Sequence, residues 1–283
     1  MIYNRYFIIL LLLILISVYG FTEQKEPLIE YTINWKDQQL EILVKTPLND
    51  SNRPLPSLKH SIETDLKQKL PYILLDGIEL IAINSSTKGE DYIKKHPNII
   101  TSIFDLSTEI VKVSSFFTEN FKFLNTKYTL GIYPYIAELF IQHTRTSRLS
   151  PKLDFSPSAN FTGIIIYVDR KLSMYGKQSE GLFTPSLFPR LFDENLNLVM
   201  ESLMIDPEII KESGAIAYQT LLDTMNLKRI GQNPLELKAR GLFGINNTDL
   251  ILSSRDVEKI LSRNNNLDLI KQGKILIIFN NPD

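Results

Sequence analysis

A chain of 283 residues with 43% hydrophobic content can form one large domain or two ordinary ones with sizeable cores, which excludes an intrinsically disordered polypeptide. Its 31 Lys and Arg almost balance 32 Asp and Glu, and a net charge of −1 offers no global field for a polyanion, so nucleic acid is not an expected partner. With no cysteine, neither disulfides nor an N-terminal lipidated thiol are available, and packing must supply the stability.

Residues 1–20 have the layout of an export signal: Arg5, an apolar run from Phe7 to Val18, and Val18-Tyr19-Gly20 as a cleavage site. That run falls short of the roughly 20 apolar residues a spanning helix needs. The expected location of the folded part is therefore the periplasm or cell envelope, and peripheral membrane association is compatible with it. Asn-x-Ser/Thr triplets at Asn49, Asn84, Asn160 and Asn246 are read as chance in an asparagine-rich chain.

The first domain is expected over residues 21–143. Ile29, Tyr31, Ile33 and Trp35 alternate with polar residues, and Leu40, Ile42 and Val44 repeat the pattern, which predicts an amphipathic hairpin. Leu58, Ile62, Leu66 and Leu70 trace one face of a helix that Pro71 should end or bend. Asp76-Gly77 then suggests a turn into a strand at 78–83. Further helix is expected from Tyr92 to Leu106, interrupted near Pro97, followed by strands at 109–117 and 121–132. In the last of these Leu124, Thr126, Tyr128, Leu130 and Ile132 share one face.

Residues 144–160 lose all periodicity and read as a linker, with Arg145, Arg148 and Lys152 as solvated charges. A second domain is expected over 161–283. Its central strand is the apolar run from Gly163 to Val168, buried on both faces. A polar loop at 170–185 precedes two short strands, 187–192 and 196–200, turned at Asp193-Glu194-Asn195. Asp206-Pro207-Glu208 starts a helix that Gly214 stops. Ala215 to Leu222 reads as either strand or helix. Leu235 to Phe243 alternates as a half-exposed strand, 246–253 holds a turn and a brief strand, Ser253 to Asp256 has capping-box form, and Ile275 to Phe279 is a buried terminal strand. The overall expectation is an α+β fold: two mixed domains of antiparallel or mixed sheets with helices packed on one side.

No residue set announces a reaction. His60, His96 and His143 lie far apart in sequence, so no metal site or cofactor is expected. There is no G-x-S-x-G elbow. The Gly176 to Gly181 loop lacks a phosphate-loop ending, and Asp193, Asn195 and Asn197 lack the glycine and bidentate glutamate of a calcium loop. The polar residues singled out for a structural or interaction role are Arg190, Asp193, Glu194 and Asp249. Arg190 is expected to pair locally with Asp193, and Asn247-Thr248-Asp249 to form an Asx or Ser/Thr turn.

FTGIIIYVD at 161–169, LFPRLFDENLNLV from 187, GAIAYQ at 214–219, the stretch from Ile230 to Ser253 and the closing ILIIF together resemble the C-terminal half of Lpp-twenty type outer-membrane lipoproteins. The whole chain, including INWKDQQLEILVKTPL at 33–48, looks like a secreted envelope family of spirochaetes. The element order from Leu58 to Ile132 is also similar to a domain of flagellar-ring accessory proteins. The chain departs from the lipoprotein pattern in lacking a lipidation cysteine and in carrying Tyr167-Val168-Asp169-Arg170 after the central strand. The resemblance implies a non-enzymatic exported protein with a structural or interaction role, its partners being envelope or flagellar proteins. Two alternatives remain: a periplasmic module holding a small ligand between the halves through Arg170, Arg190 or Asp249, and a hydrolase using Asp193 or Glu194.

Overall fold

The computed structural model describes residues 26–48, 53–147, 151, 158–169, 171–223 and 226–279. The export segment, Asn49, most of the expected linker with Arg148 and Lys152, and Arg170 lie outside these residues. The fold is mixed α+β.

The first half opens with β1 (Leu28–Asn34) and β2 (Gln39–Pro47), the expected hairpin. β3 (Val111–Phe117) and β4 (Phe123–Gly131) complete an antiparallel sheet in the order β1-β2-β4-β3. Leu40, Ile42 and Val44 of β2 are fully buried, as are Leu124, Tyr128 and Leu130 of β4, so alternation sends one face inward and leaves the other to solvent. On the solvated face Lys45 pairs with Glu30 at 2.5 Å and Lys127 with Glu41 at 2.6 Å.

Helix α1 (Leu55–Glu79) supplies the cover for the inner face and overturns two expectations. It continues through Pro71 rather than ending there, and residues 78–83 form no strand beyond an isolated bridge between Ala82 and Lys88. The buried stripe of Leu66 and Leu70 continues through Ile73, Leu74 and Ile78, so tertiary burial outweighs the hydrogen bond that Pro71 cannot make. Gly77 is helical too. A Cβ there would stand 3.0 Å from the Tyr31 ring and 3.1 Å from Leu40, so the glycine lets helix and sheet approach. Helices α2 (Gly89–Lys95) and α3 (Ile99–Leu106) follow, split around Pro97 as expected.

The second half contains two sheets. β5 (Ile164–Val168), β10 (Ala217–Gln219), β11 (Leu235–Lys238) and β14 (Ile275–Phe279) form an all-parallel sheet in the order β10-β14-β5-β11. Its central strand β5 is buried on both faces: Ile164, Ile166 and Val168 enter the main core, while Ile165 packs with Ala217, Ile230, Leu276 and Ile278 in a second cluster. Each such fully buried isoleucine contributes about 1.5–3 kcal/mol.

The other sheet is mixed, ordered β7-β6-β12-β13-β8-β9, and includes β8 (Leu191–Phe192), β9 (Leu198–Met200), β12 (Gly241–Phe243) and β13 (Asp249–Ile251). The expected polar loop after residue 170 holds a hairpin instead, β6 (Leu172–Met174) with β7 (Glu180–Gly181). The single strand expected over 235–243 is broken at Ala239-Arg240, with β11 in the parallel sheet and β12 in the mixed one.

Helix α4 (Pro207–Ser213) begins as read, with the Asp206 carboxylate accepting from Glu208 N at 3.1 Å, and ends at Gly214 with φ of 81°. A short helix α5 (Leu227–Ile230) precedes β11. Helix α6 (Ser254–Leu261) carries its Ser253 cap, and α7 (Asn264–Lys271) is a helix the sequence reading did not anticipate. Among the described residues no helix is long and apolar enough to cross a membrane.

Candidate functional site

The two halves meet at a polar hairpin of the first half, Asn84 to Lys88, which enters the second half. Ala82 and Ile83 offer their carbonyls to Leu187 N and Phe188 N at 3.0 and 2.8 Å, and the Ser85 carbonyl accepts from Ile245 N and Asn246 N, both at 2.9 Å. Gly244, at φ of 91°, permits this approach, since a Cβ there would lie 2.3 Å from Ser85 Cβ. One hydrophobic cluster runs through both halves, joining Leu40 and Ile78 to Leu187, Ile205 and Ile277. Trp35 meets Tyr218 edge-to-face at 5.4 Å across the same boundary.

Arg190 is central to this junction. Its backbone N–H donates to Asp249 Oδ1 at 3.0 Å and its Nε to Oδ2 at 2.9 Å, while Nη2 donates to Ser85 Oγ at 2.8 Å and lies 2.8 Å from Asp249 Oδ2. The guanidinium also stands 5.2 Å from the centre of the Phe192 ring. Asp249 is 0% exposed, and a buried carboxylate must be paired. The expected Arg190–Asp193 pair therefore does not form. Asp249 turns to the arginine, supported by Thr248 Oγ1 at 3.3 Å, rather than to its own backbone.

Asp193 and Glu194 are adjacent in sequence and serve different places. Asp193 Oδ1 accepts from Asn195 N at 2.9 Å and Asn197 N at 2.8 Å, and Oδ2 from Asn197 Nδ2 at 2.8 Å, which holds the β8–β9 turn. Glu194 reaches Ser254 N and Oγ, at 3.0 and 3.1 Å, at the start of α6, where the helix dipole favours a carboxylate. Neither acid faces the other.

Beside the junction lies a cleft of ≈390 Å³ with walls from both halves. The first half contributes Tyr92, Lys95 and His96 from the end of α2, then Phe140, Gln142 and His143. The second half contributes Phe188, Arg190 and Glu201. Tyr92 stacks on His96 at 4.5 Å and meets Phe140 edge-to-face at 5.1 Å, with Gln142 Nε2 donating to its hydroxyl at 3.4 Å. His143 Nε2 lies 2.9 Å from the Ile205 carbonyl. Two of the three histidines, 47 residues apart in the chain, thus line one cavity; sequence spacing cannot show such a meeting. Lys95 and Glu201 were also missed, each sitting in an unremarkable polar position. Among the described residues no three His, Cys, Asp or Glu side chains gather as a metal site.

A second buried cation was missed as well. Arg229 donates to Gly273 O at 2.8 Å, Ser213 O at 2.7 Å and Gly214 O at 2.7 Å, stapling the ends of α4 and α7. Burial pulls its guanidinium down to about 10, against the opposing influence of Tyr133 and Tyr218, so it remains charged at neutral pH. Burial also drives the Tyr133 and Tyr218 hydroxyls well above the ordinary tyrosine value. These are structural groups, not poised acids.

Two family models match the chain. Residues 26–139 match the N-terminal domain of Treponema pallidum Tp0624, and residues 163–281 match the second domain of the same protein. The two matches follow one another in that order and together cover most of the chain. No curated protein is significantly similar to it.

Proposed function

We propose, from the match of both halves to domains of Tp0624, that the chain is a non-enzymatic exported envelope protein. In this reading it works as a rigid two-part scaffold that engages other envelope components, flagellar or outer-membrane structures among them. The export-signal pattern of residues 1–20 supports that location.

The observation that carries the proposal is the use made of the candidate polar groups. Asp193 spends its hydrogen bonds on a turn, Glu194 on a helix start, and Arg190, held by Asp249, on Ser85 across the junction between the halves. A shape maintained at that cost suits a surface that others recognise. Tomography of a deletion strain, with fractionation of the native strain, tests it. Recovery in the envelope and loss of a flagellar or outer-membrane density are expected; recovery in the cytoplasm with an unaltered envelope would refute the proposal. A second reading, a small-ligand module, is favoured by the cleft between the halves.

A further inference from the structure

We infer that the cleft between the halves binds a small monocarboxylate that carries an adjacent hydrogen-bond donor and an apolar body, the chemistry of an aromatic amino acid or hydroxy acid. The inference rests on the second reading above and is independent of where the protein sits in the cell.

The argument begins with Arg190. Asp249, Ser85 and Phe192 fix its guanidinium plane through Nε, Nη2 and the ring contact, while Nη1 has no acceptor among the described residues and the side chain lines the cleft. A guanidinium held in this way loses little side-chain entropy on binding an oxyanion. Lys95 adds a second cation on the facing half, and Glu201 adds one carboxylate.

Counted with the Asp249 carboxylate that pairs with Arg190, the charges here cancel: Arg190 and Lys95 against Glu201 and Asp249. That leaves nothing to offset a phosphate dianion, which Glu201 would repel, and suits a single carboxylate held on the free Nη1 edge of Arg190. Glu201 also offers acceptors for an ammonium or hydroxyl next to the carboxylate. Tyr92, Phe140 and Phe188 supply the aromatic wall that an apolar body requires. The volume of ≈390 Å³ lies within the usual range of about 300–1,000 Å³ for small-ligand sites.

Calorimetric titration of the full chain with L-phenylalanine, 3-phenyllactate, 2-phenylethylamine and inorganic phosphate tests the inference. Saturable binding of at least one of the two carboxylates is expected, with the amine and phosphate at least about tenfold weaker. Lys95→Gln and Glu201→Gln, both at the cleft wall and outside the core, should each weaken that binding about fivefold or more without moving the unfolding midpoint. The inference is overturned if neither carboxylate binds, if the amine or phosphate binds as well as they do, or if both variants bind like the parent. Each of these outcomes leaves the scaffold proposal standing, because that proposal is read from location and envelope density.

Discussion

Arg190 and Asp249 should be strongly coupled, and unequally dependent on one another. Arg190→Ala leaves a carboxylate with no solvent exposure, supported only by one backbone N–H and the Thr248 hydroxyl. Stranding a buried charge costs about 3–5 kcal/mol, and the surviving hydrogen bonds place this case near about 3 kcal/mol. Asp249→Ala strands an arginine whose side chain is 36% exposed and can recover water, so about 2 kcal/mol is expected, chiefly from the unsatisfied Arg190 N–H. The double variant should fall short of the sum by about 2 kcal/mol. Urea unfolding followed by Trp35 fluorescence is the natural assay, because the single tryptophan touches Tyr218 across the junction. Arg190→Ala costing under about 1 kcal/mol, or strictly additive single variants, would refute the claim that Asp249 depends on this pair for its burial.

Two further outcomes follow from the same structure. Gly244→Ala combines left-handed backbone strain with a Cβ placed 2.3 Å from Ser85 Cβ, and should destabilise by about 3 kcal/mol or more in the same urea assay; Ser85→Gly should recover part of that loss by removing the opposing side chain. The hydrogen bond from Lys127 holds Glu41 below its ordinary value against the opposing effect of burial; for Asp256, burial is outweighed by hydrogen bonds from Lys259 and Ser253. A carboxylate depressed in the folded state stabilises above its unfolded pKa and loses that contribution as pH falls through the folded one. The unfolding midpoint should therefore hold from pH 7 down to the ordinary glutamate value near 4.5 and then drop, with Lys127→Met flattening part of the drop.

What the sequence discloses here follows from the range of the interactions involved. The alternation of β1 and β2, the doubly buried run of β5 and the Asp206 and Ser253 caps are local patterns, and the structure has each of them. Pro71 misleads because its missing donor is visible in sequence, whereas the burial of Ile73, Leu74 and Ile78 that outweighs it is not. Leu235 to Gly241 keeps its period of two while crossing from one sheet to another, so periodicity reports strand without reporting partner. Helix α7 hides behind three asparagines. Asn266 is buried there because its side chain binds Ser158, Ala159 and Lys259 and accepts from Phe161 N. The site was legible only in part: Arg190 and Asp249 were singled out, but their pairing spans 59 residues.

The junction also bears on how the cleft behaves. Domains joined in one chain ordinarily move relative to each other unless their interface is large and apolar. Here the interface is part of the main core, and backbone hydrogen bonds at Ala82, Ile83 and Ser85 stitch its polar border. Opening the cleft by a hinge would expose Ile83 and Phe188, both buried, and break the Phe188 N–H bond to the Ile83 carbonyl. The cavity between Lys95 and Arg190 is therefore preformed, and a ligand entering it meets donors already in place. The same stitching explains why the family's two domains form a single body in this chain: the hairpin at Asn84 to Lys88 belongs to the first domain by sequence and to the second by its hydrogen bonds.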